Sequence, residues 1–395
     1  MKRLLLAACT VTALTACTQS VKKEHACCNP FFTEYQTPFG VPPFEQIKTE
    51  HYKPAFLTGM EEQMSEIEDI VNNTDPATFE NTIAALDQSG ALLSKVSQVF
   101  YGLNSANTNE ELQALSKELS PILSKHSDDI SLNAKLFERI KYVYENQDKE
   151  KLDKEQKKLL EETYKDFVRG GANLDSASQA KLRELNSKIS MLQLTFGQNM
   201  LKETNAFKLV IDKKEDLSGL PENLIAAAAE AAAADSMEGK WVFTLHNPSI
   251  MPFLQYADNR ELREKIFNGY INRGNNGNEN DNTQVCAQLV AARLEKAKLM
   301  GYEDFASMAL ETRMAKTSKA VYALLDQVWT PAIKKAQDEL KRVMNLREIR
   351  MDFRFPSESL DLNYISGFVK EIYENFPASK SILEGAEYNF SVDKL

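Results

Sequence analysis

Apolar residues recur at helical spacing through most of the chain between residues 57 and 205. The clearest case is a seam of residues spaced 3, 4, 3 and 4 apart, which predicts a long helix with one packed face. The members of this seam are Leu182, Leu185, Ile189, Leu192 and Phe196. Ser176, followed by Gln179 three residues later, is the expected capping box at the start of this helix.

Other predicted helices show the same spacing and carry signals at their ends. Thr78 is expected to open a helix, and Thr108 another, in which Pro121 marks a kink or a boundary. A third helix is predicted over residues 152–168, with the glycine pair at 170–171 as its C-cap. The apolar face of the first of these helices is Ile83, Leu86, Leu93, Val96 and Phe100.

Two short segments read as strands, at residues 207–211 and 241–245. An alanine-rich helix beginning at Pro221 separates them. Further helices are expected over residues 260–270 and 283–300, and two more across residues 315–345. Prolines forbid a helix before Glu45, so the segment from Asn29 to Phe56 is expected to be an extended strap. The predicted fold is mainly α with a small β element.

Composition limits the function classes. The chain has 395 residues, 43% of them hydrophobic and 26% charged, as in a soluble globular protein with ample core. Its formal net charge is −10. That charge argues against nucleic acid as a partner, because nucleic-acid binding requires a basic face.

The first residues resemble a bacterial lipoprotein signal. Lys2 and Arg3 precede a short apolar run that ends in Leu-Thr-Ala before Cys17. We expect residues 1–16 to be a signal peptide, Cys17 to be lipidated, and residues 17–28 to be a tether. The alternative is an accidental cysteine near an ordinary cleavage site. The expected location is the bacterial cell envelope, with the protein held to the membrane only by its lipid and facing the periplasm.

The remaining cysteines form no disulfide framework. Of five cysteines, Cys9 would leave with the signal peptide, and Cys286 lies alone on a predicted helix. Cys27 and Cys28 follow His25, but this spacing matches no standard metal site, and a tether segment is the simpler interpretation.

Several phrases, in order along residues 29 to 340, resemble the thimet oligopeptidase and peptidyl-dipeptidase family of zinc metallopeptidases, specifically its bacterial dipeptidyl carboxypeptidase branch. The phrases are Pro43-Phe44 with Ile47; His51-Tyr52-Lys53-Pro54-Ala55-Phe56; Thr78-Phe79-Glu80-Asn81-Thr82; Leu132-Asn133-Ala134-Lys135-Leu136-Phe137-Glu138-Arg139; Phe167-Val168-Arg169-Gly170-Gly171-Ala172; Phe196-Gly197-Gln198-Asn199; Arg273-Gly274; Asn280-Asp281-Asn282; Lys296-Ala297; and Leu299-Met300-Gly301-Tyr302.

The resemblance implies a helical, two-lobed body around a channel that admits short unfolded peptides. It assigns residues 29–240 to an N-terminal helical region and residues 241–345 to the start of the catalytic domain. It also implies metal-assisted hydrolysis that releases C-terminal dipeptides, with zinc held by an H-E-x-x-H helix and a further acidic ligand.

That zinc motif is absent from these 395 residues. The four histidines are His25, His51, His126 and His246; none is followed by Glu, and no two lie four apart. We therefore assign no catalytic and no metal-binding residue, although zinc is the cofactor expected for the family.

In the segment 346–395, no sequence similarity to this family is recognisable. The family has a Trp-Asp phrase soon after the preceding helix, whereas the last tryptophan here is Trp329. One hypothesis is a shifted reading frame near residue 345 followed by an early stop, which would make the chain truncated. The alternative is a divergent insert, in which residues 360–376 could form a helix.

Three functions follow from these observations. The first is a peptidyl-dipeptidase that is inactive without further residues. The second is a lipoprotein that binds peptides without cutting them, and the third is a non-functional fragment that would aggregate. Asp128 and Asp129 are expected to be solvated rather than catalytic. His51 is expected to be a packed histidine of the strap, and His246 a residue at the end of a strand. Arg273, Asn275 and Asn276 are expected to be turn residues rather than channel-lining ones.

Overall fold

The computed structural model describes residues 29–146, 148 and 151–350, without the side chains of residues 340 and 342–350. The predicted fold class is confirmed, since the described chain is mainly helical with one two-stranded sheet. It forms two compact units. Among the described residues, the first unit contains 29–194 and 291–303, and the second contains 195–290 and 304–350. No described helix is both long and apolar enough to cross a bilayer.

The first unit begins with the strap and continues in a series of helices. A π-helical turn, Phe79–Ala84, precedes the second of them. The helices are α1 (Thr49–Asn72), α2 (Ala85–Gln88), α3 (Ala91–Ala106), α4 (Glu110–Ser131), α5 (Ala134–Asn146), α6 (Lys154–Arg169) and α7 (Ser176–Ala206), the last of which contributes to both units.

The core of the first unit has two parts. In one, Phe56 of α1 meets Phe100 of α3 with ring centroids 5.4 Å apart in an edge-to-face arrangement. Phe31 of the strap is 1% exposed and belongs to the same cluster. The other part joins the end of α1 to α5 and α6 through Ile67 and Ile140, which are fully buried. The strap is therefore anchored to the body by its aromatic residues.

The strap predicted over residues 29–56 is shorter than expected, because α1 begins at Thr49 and residues 49–56 are helical. It contains two 3-10 turns, Pro30–Phe32 and Pro38–Gly40, in addition to extended residues. A 3-10 turn accepts proline at its first position, where no N–H is needed. Lys95 fastens the strap by donating to the carbonyl oxygens of Phe31 and Thr33, at 3.0 and 2.6 Å.

Some predicted helix limits were wrong for local reasons. The helix expected from Thr78 through Phe100 is broken at Gly90, which has a φ of 75° and donates its N–H to Glu66. Asn109, rather than Thr108, caps α4, and Pro121 lies inside that helix. Asp175, rather than Ser176, caps α7, because its carboxylate accepts from two backbone N–H groups of the first turn.

The expected apolar seam of α7 is only partly a core feature. Leu182 and Leu185 are each 1% exposed, whereas Phe196 is 38% exposed. The seam is therefore buried in its N-terminal part alone.

The second unit contains the sheet and the remaining helices. The strands are shorter than predicted and pair antiparallel, with Leu209 opposite Phe243 and Ile211 opposite Trp241. The region 315–345 was expected to hold two helices, but residues 318–345 lie in a single helix that contains Pro331. The elements are β1 (Leu209–Ile211), α8 (Glu222–Ala234), β2 (Trp241–Phe243), α9 (Asn247–Tyr256), α10 (Arg260–Ile271), α11 (Thr283–Leu299), α12 (Phe305–Leu310) and α13 (Ser318–Arg350).

The sheet and α8–α10 share one hydrophobic core. Its fully buried rings are Phe243 and Phe253, whose centroids lie 4.6 Å apart. His246 was expected to be a strand-end residue, but it occupies the N-cap position of α9, with Pro248 in the first turn. The chain therefore passes directly from the sheet into a helix at this point.

Candidate functional site

A buried carboxylate in the second unit organises the asparagine-rich loop between α10 and α11. Glu203, in the last turn of α7, is 8% exposed. It accepts hydrogen bonds from the side-chain amides of Asn276 and Asn278, the latter at 2.6 Å. The backbone of Gly274 and the side chain of Asn280 also donate to it. We call Glu203 and these four loop residues the Glu203 anchor.

The electrostatics of the anchor favour an ionised carboxylate. Burial alone would raise the pKa of Glu203, but the hydrogen bonds from Asn278, Asn276, Gly274 and Asn280 outweigh it and hold that pKa below its ordinary value of 4.5. The negative charge is thus stabilised by amide dipoles rather than by a cation.

A second set of contacts fixes the two ends of the same loop. The Asn199 amide donates to Asn282 Oδ1 at 3.0 Å, and the Asn282 amide donates to the Phe196 carbonyl oxygen at 3.1 Å. At the other end, Arg273 donates to Thr204 Oγ1 at 3.0 Å and lies 3.8 Å over the ring of Tyr270. The loop is therefore fastened to α7 by side chains along its whole length.

These contacts decide what the loop can do chemically. The amides of Asn276 and Asn278 are spent on Glu203, and Asn275 Oδ1 receives the hydroxyl of Thr283 at 3.4 Å. The turn interpretation of Arg273, Asn275 and Asn276 is consistent with these bonds. The anchor holds the loop in shape, because each oxygen of the Glu203 carboxylate accepts a hydrogen bond from an asparagine amide of the loop.

A second polar cluster lies in the first unit. Asp128 Oδ1 accepts from the Asn186 amide at 2.7 Å, and Asn186 Oδ1 accepts from Lys296 Nζ at 2.6 Å. The adjacent Asp129 accepts from Arg183 at 2.7 Å. The expectation that both aspartates are solvated was wrong for Asp128, which is 5% exposed because α7 and α11 supply its partners.

The pKa values of the two aspartates are shifted in opposite directions. Burial raises the pKa of Asp128, although the Asn186 hydrogen bond and the charges of Arg183 and Lys296 oppose the shift. Burial also acts to raise the pKa of Asp129, but bonds from Lys125 and Arg183 prevail and lower it. Burial lowers the pKa of Lys296, with Asp128 opposing. Every charge here faces a partner, so we assign this cluster to holding α4, α7 and α11 together.

The described histidines are engaged in structural bonds. His51 Nδ1 accepts from the Lys48 N–H at 3.1 Å in the first turn of α1. His126 Nε2 lies 2.7 Å from Gln63 Oε1, and burial lowers the His126 pKa. His246 pairs with Thr244 Oγ1 at 3.0 Å and with Asn205 Oδ1 at 3.2 Å.

These residues do not fit the family's zinc ion. Among the residues that the structure describes, no group of three or more His, Cys, Asp or Glu side chains could hold a metal. A catalytic zinc site needs three protein ligands around an open position.

The remaining candidate ligands and nucleophiles are the cysteines and His25, of which only Cys286 lies among the described residues. Cys17, His25, Cys27 and Cys28 lie outside the described residues. Cys286 is exposed on α11 as a free thiol. Cys286 belongs to neither of the two polar clusters.

Several of the sequence segments that resemble the peptidase family have packing roles in the structure. Asn81 caps the turn at Thr78 and accepts from Arg139 Nη2 at 3.2 Å, while Arg139 Nη1 donates to the Asn73 carbonyl oxygen at 2.8 Å. Gly171 has a φ of 96°, and a Cβ there would lie 2.5 Å from Leu182. The sequence did not predict the role of Glu203, because no pattern in the residues around it indicates a contact with a loop some 70 residues further on.

Comparison with known proteins agrees with the resemblance. "Peptidase family M3" matches residues 253–380. The dipeptidyl carboxypeptidase of Escherichia coli is 36% identical over 315 residues, which is 80% of this chain and 46% of that protein. The dipeptidyl carboxypeptidase of Salmonella typhimurium is 35% identical, covering 80% of this chain and 47% of that protein. Oligopeptidase A of Escherichia coli is 27% identical, covering 88% and 52%.

The chain spans about half the length of the curated relatives it matches. Within that half, the family match begins in α9 and takes in the loop of the Glu203 anchor, α11 and α13. The alignments to the two dipeptidyl carboxypeptidases extend over four-fifths of the chain, far beyond that match. Over four-fifths of its length, the chain is therefore similar to dipeptidyl carboxypeptidases, and over residues 253–380 it matches peptidase family M3.

Proposed function

We propose that this chain provides the N-terminal helical region and the start of the catalytic lobe of a peptidyl-dipeptidase acting on short peptides. The observation that supports the proposal is the 36% and 35% identity to two dipeptidyl carboxypeptidases over 80% of the chain. The substrate class is taken from what those proteins are named for.

We further propose that these 395 residues do not hydrolyse peptides by themselves. They contain no H-E-x-x-H, and the described histidines are committed to Lys48, Gln63, Thr244 and Asn205. Zinc remains the cofactor expected for the family, so the proposal places the residues of hydrolysis outside this sequence.

The test is release of C-terminal dipeptides from an unstructured octapeptide, followed by mass spectrometry, with the purified chain and added zinc. The expected result is no dipeptide above a no-protein control. Zinc-dependent release that a chelator abolishes would contradict the proposal. Peptide binding measured by fluorescence anisotropy, without cleavage, would instead favour the peptide-binding lipoprotein.

The cell-envelope location is a separate proposal. It is supported by the basic and apolar residues ahead of Leu-Thr-Ala-Cys17. Cells expressing the chain and fed an alkyne fatty acid are expected to label it, and Cys17→Ser is expected to abolish the label. Cys9→Ser is the matched control and should keep it, since Cys9 leaves with residues 1–16. Equal labelling of both variants would overturn the assignment.

The status of residues 346–395 is open to a direct check. The family match continues to residue 380, 35 residues beyond Asn345, which supports an in-frame, divergent segment over a shifted frame. Sequencing the gene from codon 330 onward and translating all three frames is the test. A Trp-Asp phrase followed by H-E-x-x-H in another frame would restore the frameshift explanation.

A further inference from the structure

One face of α13 carries large apolar side chains that nothing in the described chain covers. Leu325, Val328 and Trp329 are 51%, 57% and 65% exposed. Together with their neighbours they recur at the spacing of an amphipathic helix, while Gln327 and Lys334 fall on the opposite side. We call this surface the α13 stripe; its members are Tyr322, Leu324, Leu325, Val328, Trp329 and Ile333.

Such a stripe requires a covering partner. Scattered exposed apolar residues are normal on a protein surface, but a contiguous patch of this kind marks an interaction site. The α13 stripe holds six large side chains within 12 consecutive residues, and both of its aromatic members, Tyr322 and Trp329, are 65% exposed.

The sequence after α13 carries a matching pattern. Ile365, Phe368, Val369, Ile372, Tyr373 and Phe376 lie at positions i, i+3, i+4, i+7, i+8 and i+11, which predicts one apolar helix face. Pro356 precedes this run and Pro377 follows it directly, so the predicted helix has sequence limits on both sides. We call residues 365–376 the tail segment.

The two surfaces agree in length. The α13 stripe extends from residue 322 to 333 and the tail segment from 365 to 376, each spanning 12 residues and therefore about 17 Å of helix. Two helices with apolar faces of equal length can cover one another in antiparallel packing.

The connection is long enough for this packing. From Arg350, where α13 ends, back to Ile333 is about 26 Å along the helix axis. Residues 351–364 can extend to about 45 Å. An antiparallel arrangement, with Ile365 near Ile333 and Phe376 near Tyr322, is thus within reach.

We propose that the tail segment folds back onto the α13 stripe and covers it through an intramolecular contact. The single family match across residues 253–380 takes in both surfaces, which supports their lying in one reading frame and one domain. The inference depends on the in-frame status of residues 346–380 proposed above, and it does not depend on whether the chain cleaves peptides.

Trp329 offers a direct reporter, because the chain has two tryptophans and Trp241→Phe leaves it alone. In the full chain carrying Trp241→Phe, we expect blue-shifted Trp329 emission that acrylamide quenches weakly. Adding Phe368→Asp and Ile372→Asp should shift the emission to the red and raise the quenching constant several-fold. Lys370→Asp, on the polar side of the tail segment, is the matched control and should leave both unchanged.

Two results would overturn the proposal. One is red-shifted, readily quenched Trp329 emission in the full chain itself, a reading that needs no tail variant to fold. The other is protection of Trp329 that appears only as the protein dimerises in sedimentation velocity, which would make a second copy the occupant. Circular dichroism of each variant separates loss of the contact from loss of the fold. Peptide cleavage is measured separately, so failure of the proposed function would leave this result intact.

Discussion

Replacing Glu203 with alanine should release the loop between α10 and α11. A hydrogen bond to a charged group contributes about 1.5–3 kcal/mol when its donor is left unsatisfied after the loss. Asn276 and Asn278 are exposed and can turn to water, so we take about 1 kcal/mol for each of their bonds. Gly274 and Asn280 are buried, so the backbone N–H of the first and the side-chain amide of the second should each lose about 1–2 kcal/mol. The expected cost of Glu203→Ala is therefore about 4–6 kcal/mol.

The assay is urea unfolding at pH 7, combined with amide hydrogen exchange of the loop. Glu203→Gln, which keeps one acceptor oxygen, should fall between wild type and alanine. Glu279→Ala is the matched control, because Glu279 is an exposed carboxylate in the same loop; it should stay within about 0.5 kcal/mol of wild type. If Glu203→Ala also stays within that range and the loop amides keep their protection, the anchor does not hold the loop.

Four further predictions concern the pH dependence of stability and the space around two glycines. The pKa of Glu203 is lowered below 4.5 in the folded state, so the stability that its carboxylate contributes should be present above that pH and should be lost as the pH falls. In acid unfolding titrations, the difference in free energy of unfolding between wild type and Glu203→Gln should therefore become smaller. The pKa of Asp128 is raised above 3.8 in the folded state, so the stability that Asp128 contributes is greatest below that pH and is lost as the pH rises. The stability of Asp128→Asn should therefore increase relative to wild type as the pH rises. A difference in stability that stays constant with pH would refute this. Gly171→Ala should lower the free energy of unfolding by about 2 kcal/mol or more, because its φ of 96° is strained and its Cβ would strike Leu182. Gly197→Ala, inside α7 with open space around it, should instead raise it by about 0.5–1 kcal/mol in thermal melts.

Much of the fold could be read from the sequence, because apolar spacing is a local signal. The limits of helices α6, α10 and α11 were predicted to within a few residues. The errors fell where a single residue decides a boundary. Gly90 breaks a helix because Glu66 captures its N–H, and Asp175 caps α7 one residue before the expected Ser176.

The polar clusters could not be predicted in the same way. Asp128 becomes buried only because Asn186 and Lys296, on two other helices, are brought to it. Glu203 meets Asn276 across 73 residues of sequence. Local patterns contain no information on such pairings, and a buried aspartate therefore looked like a solvated one.

The central proposal is that this chain, which is similar to peptidases of family M3, does not form the family's zinc site with these 395 residues alone. Its most direct test is the zinc content of the purified chain, measured by native mass spectrometry after incubation with zinc and dialysis against zinc-free buffer. The account predicts a chain mass without bound metal. Retention of one zinc per chain, lost when any of His51, His126 or His246 is replaced by alanine, would contradict it.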